Sequence, residues 1–219
     1  MRKYFTTLVT LAALSAILVG CKTEPVPDRV AVTGDSVTLQ AILYHDNGIM
    51  TDWDSSGKVN NGWRADHSIG RVQEDVATEG TSPEVLVVAF GHNYWQDFSP
   101  ERQKTFRDLL QAPHEDACVV AVMPWYTGSN PTHLSRIEQV RLVAYHQGLL
   151  SNDNPDVPDI VLVDWKPIVD ANPEYHWHDG VHLPMDEEWH NATPEMVTAG
   201  NAYAQMMQDG VDECYANVL

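Results

Sequence analysis

Three short apolar runs dominate the hydrophobic pattern of the chain, over residues 84–90 (EVLVVAF), 117–123 (ACVVAVM) and 159–163 (DIVLV). Their hydrophobicity is continuous rather than alternating, and they are rich in β-branched residues. Both properties predict strands that are buried on both faces, as in a parallel sheet covered by helices. A weaker run over residues 29–33 (RVAVT) predicts one more strand ahead of these three.

Helix signals lie between and after the predicted strands. Ser99 and Pro100 provide an N-cap and an N1 proline for a helix over residues 102–111. Residues 134–150 have apolar positions at helical spacing, and a Thr-Pro-Glu sequence at 193–195 begins a last helix. This alternation predicts an α/β fold, a three-layer α/β/α sandwich around a mainly parallel sheet. We find no internal repeat and therefore expect one domain over residues 29–219.

The first twenty residues have the pattern of a targeting segment. They begin with the basic pair Arg2 and Lys3 and continue into an apolar run too short for a permanent membrane anchor. The run ends in the sequence LVGC, which resembles the lipobox of bacterial lipoproteins. We therefore expect a signal peptide over residues 1–20, then a lipidated Cys21 with a tether over residues 21–28. The alternative is a plain signal peptide followed by an accidental cysteine.

The charge balance narrows the range of partners. The 219 residues include 13 Lys and Arg against 31 Asp and Glu, a formal net charge of -18. Such a surface repels phosphate backbones and anionic lipid headgroups. We expect no nucleic-acid partner, and membrane contact only through the N-terminal lipid. The expected location is the bacterial cell envelope, on the periplasmic or the cell-surface side of a membrane.

Three cysteines occur in the chain, and lipidation of Cys21 would leave an even pair, Cys118 and Cys214. In an oxidising compartment two such residues can form a lasting disulfide. The sequence leaves two possibilities open, a Cys118–Cys214 bridge or two buried free thiols.

Polar blocks follow two of the predicted strands, at the carboxyl ends where α/β sheets bind their ligands. A Gly-Asp-Ser block at 34–36 places the hydroxyl of Ser36 at a strand-to-helix turn, where the helix N-terminus favours developing negative charge. A Gly-His-Asn block at 91–93 allows Asn93 to offer its side-chain amide to an oxyanion. Each block taken alone is also a common turn sequence.

A third block, Asp-Gly-Val-His at 179–182, lies after the last strand and before the last helix. One loop can present both of its functional side chains, with Asp179 orienting the imidazole of His182 while the other ring nitrogen faces a nucleophile. Taken alone, this block also fits an ordinary polar loop.

Together the three blocks resemble the SGNH (GDSL-type) hydrolase family in their order and separation, and they span nearly the whole domain. The resemblance implies a flavodoxin-like α/β/α fold. It implies Ser36 as nucleophile, His182 as general base and Asp179 as the carboxylate that orients the base. Two positions depart from the family pattern, with Tyr94 where Asp is frequent and Val37 where Leu is frequent.

The resemblance also implies an oxyanion hole built from the backbone N–H of Ser36, the side chain of Asn93 and the backbone N–H of a glycine. We expect that glycine to be Gly70, because it lies between the first two blocks and precedes a predicted helix. Gly62 is the fallback. The chain has no Gly-x-Ser-x-Gly sequence, which argues against the other large α/β esterase fold.

The implied activity is that of a serine esterase acting through an acyl-enzyme on small acyl esters, acetyl above all. The segment before His182 resembles SGNH domains that transfer or remove acetyl groups on cell-wall polysaccharides, so a carbohydrate ester is expected. The alternatives are an O-acetyltransferase on cell-wall glycans, a lipase or lysophospholipase, and a non-catalytic glycan-binding lipoprotein. Four aromatic residues after two strands either line the rim of the site or belong to the core: Tyr94, Trp95, Trp125 and Tyr126.

A metal site is the remaining alternative, because His176 and His178 stand close to Asp179. Alternate residues of an extended segment point to opposite faces, however, and Asp179 already has a role in the resemblance. We therefore expect no metal and no other cofactor.

Overall fold

Four parallel strands form a sheet in the part of the chain that the computed structural model describes, residues 29–55, 58–60, 62–78, 82–94, 97–152, 154, 156–184 and 193–217. The strands are β1 (Val30–Gly34), β2 (Val85–Ala89), β3 (Cys118–Met123) and β4 (Asp159–Asp164). They are paired in sequence order with every pair parallel, so all four carboxyl ends lie at one edge of the sheet. The predicted signal peptide, Cys21 and the tether lie outside the described residues.

Six helices surround the sheet in the described residues: α1 (Ser36–Tyr44), α2 (Ala65–Ala77), α3 (Pro100–Leu110), α4 (Pro131–Ser151), α5 (Trp165–Ala171) and α6 (Pro194–Asn217). Short 3-10 turns occur at His92–Tyr94 and Pro173–Tyr175. None of the described helices is long and apolar enough to cross a membrane.

The strands send alternate side chains into two separate cores. Val85 and Val87 join one core with α1, α5 and α6, whereas Leu86 and Val88 join the other with α2, α3 and α4. Both faces of the sheet are therefore covered by helices, which explains the continuous apolar runs. The predicted three-layer α/β/α fold is confirmed, and each predicted strand agrees with an observed one to within a residue or two.

An irregular segment lies along the free edge of β1. Asp54 and Val59 form isolated parallel bridges with β1, and between them Lys58 is buried. The ammonium group of Lys58 lies 2.6 Å from Asp54 and 2.8 Å from Asp75 of α2, so its buried charge is paired twice. This ion-pair cluster fixes α2, and the loop that leads into it, beside the end of β1.

Cys118 and Cys214 are joined by a disulfide that links the first residue of β3 to α6 across 96 positions of sequence. Both residues are fully buried. Of the two possibilities left open by the sequence, the structure therefore contains the bridge.

Replacing both cysteines with alanine is expected to lower the free energy of unfolding by about 2–4 kcal/mol, because the bridge restricts the unfolded chain. Urea unfolding of a soluble form that starts after Cys21 measures the difference. Thiol titration of the denatured, unreduced wild type is the control, and the finding of two reactive thiols would contradict the bridge.

Candidate active site

Ser36 is the first residue of α1 and directly follows the turn that leaves β1. The turn is held by Asp35, whose side chain caps the helix by accepting the N–H of Val37 at 3.1 Å. The N–H of Ser36 belongs to the first turn of the helix and has no acceptor among the described residues. Ser36 thus combines a hydroxyl with a free N–H at the positive end of a helix dipole.

His182 and Asp179 lie beside Ser36 in a single hydrogen-bonded line. Ser36 Oγ is 2.9 Å from His182 Nε2, and His182 Nδ1 is 2.6 Å from Asp179 Oδ2. This is the geometry of a nucleophile, a base that can take its proton, and a carboxylate that fixes the tautomer of the base. The structure therefore brings together the three residues named from the sequence, although they are separated by as many as 146 positions.

The carboxylate of Asp179 is held in its charged form. Partial burial favours the neutral acid, but the opposing contacts are stronger. Oδ1 of the carboxylate accepts the N–H groups of Val181 and His182, and Oδ2 contacts Nδ1 of the His182 ring. Together these hydrogen bonds hold the pKa of Asp179 well below its ordinary value. Asp179 can therefore stabilise an imidazolium without taking its proton.

The loop that carries His182 is fastened to other elements by main-chain and side-chain hydrogen bonds. The N–H of Thr127, in the loop after β3, donates to the carbonyl of Gly180 at 3.0 Å. On the opposite side, Gln40 of α1 accepts the N–H of Leu183 at 3.2 Å. Because Gln40 and Ser36 share one helix, this bond fixes the histidine loop directly to the helix that carries Ser36.

His176 lies beneath this loop and is buried. Its Nε2 accepts the indole N–H of Trp165 at 2.9 Å, and its Nδ1 lies 3.0 Å from the hydroxyl of Thr127. Because the indole can only donate, Nε2 must be unprotonated and the ring neutral. Burial lowers the pKa of His176 to about 3. His176 therefore supports the loop as a neutral ring.

Asn93 lies in the short turn after β2. Its amide Nδ2 donates to the carbonyl of Trp63 at 3.1 Å, which leaves the second N–H of the amide for a ligand. The turn also requires Gly91, because a Cβ at that position would lie 2.2 Å from the side chain of Pro124. Asn93 is therefore fixed between the ends of β2 and β3 and the loop that enters α2.

The prediction that Gly70 precedes a helix is wrong. Gly70 is the sixth residue of α2, so its N–H faces the carbonyl of Asp66, four residues earlier in the helix, and is not available to an oxyanion. The fallback, Gly62, lies in the loop before α2, next to the Trp63 carbonyl that contacts Asn93. Among the described residues, no acceptor is found for the N–H of Gly62.

The aromatic residues after the strands divide between core and rim. Tyr94 and Tyr126 are only 1% and 7% exposed and belong to the two cores, so a rim role for them is excluded. Trp125 is half-buried, with Arg141 and Lys166 against its ring. Trp95 lies outside the described residues.

No cluster of His, Cys, Asp or Glu that could hold a metal occurs in the described part of the chain.

Four supporting residues escape sequence reasoning: Gln40, His92, Thr127 and His176 as a neutral support. Each acts through a contact between segments far apart in the chain, and the contacts of His92 are with Asp35 and the backbone carbonyl of Trp125. The only local signal is the position of His92 inside the Gly-His-Asn block, next to Asn93.

The sheet, its helical layers and the three blocks at one edge define the fold of the SGNH (GDSL-type) hydrolases, and structures of that class match the chain. No protein-family model matches the chain, and no curated protein sequence matches it.

Three solved structures illustrate the likeness. The C-terminal catalytic domain of peptidoglycan O-acetyltransferase A from Streptococcus pneumoniae, with a methylsulfonyl adduct, has a TM-score of 0.62 and 16% identity over 86% of this chain and 95% of that one. A GDSL-like lipase from Bacteroides thetaiotaomicron has a TM-score of 0.58 and 16% identity, over 85% of this chain and 89% of that one. The acetylxylan esterase Axe2 from Geobacillus stearothermophilus has a TM-score of 0.58 and 15% identity, over 84% of this chain and 94% of that one. At these identities the likeness establishes the fold.

Replacing Gly180 with alanine is expected to displace the histidine loop. Gly180 has a φ of +73°, and an added Cβ would lie 2.3 Å from the backbone nitrogen of Gly128, which cannot move aside. Both the melting temperature and the rate of labelling of Ser36 by a fluorophosphonate should fall. Gly70→Ala is the matched control, because it lies inside a helix with open space around it and should raise stability by about 0.5–1 kcal/mol. Wild-type labelling in the Gly180→Ala variant would contradict the assigned geometry.

The stability of the protein is expected to fall as the pH drops from about 6.5 to about 3, in part because of His176. The folded state holds the pKa of His176 at about 3 against an ordinary value of 6.5, so in this range only the unfolded state binds the proton. His176→Gln keeps one donor and one acceptor but cannot titrate. Its urea midpoint should therefore depend less steeply on pH than that of the wild type. Equal slopes for His176→Gln and wild type would contradict a neutral buried His176.

Proposed function

We propose that the protein is a serine esterase that removes small acyl groups, acetyl above all, from carbohydrate through an acyl-enzyme. The observation that carries the proposal is the continuous line from Ser36 Oγ through His182 to Asp179, with distances of 2.9 Å and 2.6 Å. A serine hydroxyl is a weak nucleophile until a base shares its proton, and this line supplies the base.

In the first step His182 Nε2 takes the proton of Ser36 while Oγ attacks the ester carbonyl. The imidazolium that forms is stabilised by Asp179, which stays ionised because three hydrogen bonds favour its charged form. The same proton then passes from Nε2 to the departing alcohol oxygen, which breaks the ester bond and leaves the acyl group on Ser36. A water molecule reverses these two steps and releases the acid.

The negative oxygen of the tetrahedral intermediate needs donors that have no other partner. The N–H groups of Ser36 and Gly62 meet that condition among the described residues, and so does the second amide N–H of Asn93. We assign the oxyanion hole to these three donors, with Gly62 in place of Gly70. Losing one such donor typically costs on the order of 10²–10³-fold in turnover.

Acyl transfer to a glycan hydroxyl is the second candidate, because the same acyl-enzyme can meet a sugar in place of water. It is favoured by the likeness to a peptidoglycan O-acetyltransferase domain, as hydrolysis is favoured by the likeness to an acetylxylan esterase. These neighbours also support an acetylated polysaccharide as the substrate. A lipase role has only the likeness to GDSL-like lipases in its favour.

We further propose that the protein is an exported bacterial lipoprotein of the cell envelope, anchored through Cys21. Support comes from the LVGC sequence after an apolar run and from the buried Cys118–Cys214 bridge. Disulfides persist in oxidising compartments and are rare in the cytosol of most organisms, so the bridge favours export.

Soluble protein that starts after Cys21 is expected to hydrolyse 4-nitrophenyl acetate faster than the butyrate and octanoate esters. Ser36→Ala should lower kcat by at least about 10³-fold, because the nucleophile is lost while the fold is kept. Mass spectrometry should find a fluorophosphonate label on Ser36 in the wild type and none in the variant.

Ser135→Ala, an exposed substitution on α4, is the matched control and should retain full turnover and labelling. A folded wild type that neither turns over esters nor takes the label would overturn the proposal in favour of a glycan-binding lipoprotein. Adding a chito-oligosaccharide acceptor separates the two enzymatic candidates, because only the transferase adds an O-acetyl ester to the sugar.

A further inference from the structure

We propose that His92 is a positioning residue that holds Asn93 and the Ser36 turn in register by serving as the charged partner of the buried Asp35. The inference rests on the proposed function, because it concerns how the oxyanion hole is kept in place. It assigns a role to a side chain that touches neither the nucleophile nor the base.

Asp35 has no exposed surface, yet it carries a carboxylate. One oxygen accepts the N–H of Val37 at 3.1 Å, and the other accepts the backbone N–H of His92 at 3.3 Å. The same second oxygen lies 3.4 Å from Nδ1 of the His92 ring. A buried carboxylate is strongly destabilising unless charge and hydrogen bonds compensate for the lost water, and His92 faces it with both its backbone N–H and its ring.

The opposite ring nitrogen, Nε2, fixes the position of one proton of His92. Nε2 lies 3.1 Å from the backbone carbonyl of Trp125, which can only accept, so Nε2 must carry a proton. In a neutral ring Nδ1 would then be an unprotonated nitrogen 3.4 Å from an oxygen of the Asp35 carboxylate, which is repulsive while that carboxylate is ionised. A doubly protonated ring removes that repulsion and places opposite charges 3.4 Å apart. The proposed arrangement is a buried pair of opposite charges, in which His92 is 3% exposed.

The other groups packed around this pair do not supply the charge in its place. His133 contacts the His92 backbone carbonyl through Nε2 at 3.2 Å, and burial lowers its pKa. His176 is held neutral by the indole of Trp165. Tyr203 lies near Asp35, and burial together with that carboxylate keeps its phenol protonated by raising its pKa. His92 therefore remains as the cation that balances Asp35.

The pair connects three strand ends through one imidazole. Asp35 follows β1, His92 follows β2 and Trp125 follows β3. Asn93 is the next residue after His92, so any shift of the ring moves the amide that faces the oxyanion. Because that amide acts on charge developing in the transition state, a shift should lower kcat more than it raises KM. A misplacement of about 1 Å is enough for a loss on the order of 10²-fold.

The test uses the soluble chain after Cys21 with ¹⁵N-labelled histidine. At pH 7 the His92 ring, assigned by its loss in His92→Gln, should show protons on both nitrogens. His92→Gln keeps a donor for the Trp125 carbonyl but removes the charge, and Asp35→Asn keeps the helix cap but removes the carboxylate. Each should lower kcat for 4-nitrophenyl acetate by about 10²-fold, with KM changed by less than about threefold. The double variant should be no slower than the slower single variant, because both remove the same pair.

His114→Gln, an exposed substitution at the far end of β3, is the matched control and should leave kcat unchanged. A singly protonated His92 ring would overturn the proposal, as would multiplicative losses in the double variant. A lower melting temperature of His92→Gln with an unchanged kcat in the folded fraction would also overturn it, because His92 would then stabilise the fold without positioning the site. The NMR result does not depend on ester turnover, so an inactive wild type with a doubly protonated His92 would refute the esterase and leave the charge pair standing.

Discussion

The carboxylate of Asp35 has no exposed surface, and its two oxygens accept N–H groups from two different turns. One turn begins α1 and carries Ser36, and the other follows β2 and carries Asn93. The parallel sheet makes this possible, because Gly34 and Ala89 are partners at the ends of neighbouring strands. Burying the carboxylate without these donors would be strongly unfavourable. The turns that carry Ser36 and Asn93 therefore come together as the protein folds, and they form one half of the site.

The other half of the site is placed by a different physical principle. His182 lies on a loop between α5 and α6, with no strand of its own to fix it. Its position depends on single hydrogen bonds from elements that are already rigid, Thr127 after β3 and Gln40 of α1. The candidate nucleophile is therefore positioned by regular secondary structure and the candidate base by loop contacts, and the two meet across the 2.9 Å contact between Ser36 and His182.

The sequence predicts the sheet well because strands buried on both faces must be continuously apolar. It predicts the start of α2 poorly. Arg64 precedes that helix and has its N–H accepted by the His67 side chain, which no simple capping pattern indicates, and Gly70 interrupts the helical signal. The aromatic residues show a similar limit. Tyr94 follows a strand end as a rim residue would, but the 3-10 turn directs it into the core, where its hydroxyl accepts the N–H of Ala65.

The histidines around the site show why residue type alone does not assign a role. In His176 the lone pair that could accept a proton is already occupied by the indole N–H of Trp165. In His182 the corresponding lone pair faces a serine hydroxyl, and the opposite nitrogen faces an ionised carboxylate. In His92 both nitrogens face oxygens that only accept. The same side chain is thus suited to be a neutral support, a base or a cation according to the partner at each ring nitrogen, and those partners are set by the fold rather than by neighbouring sequence.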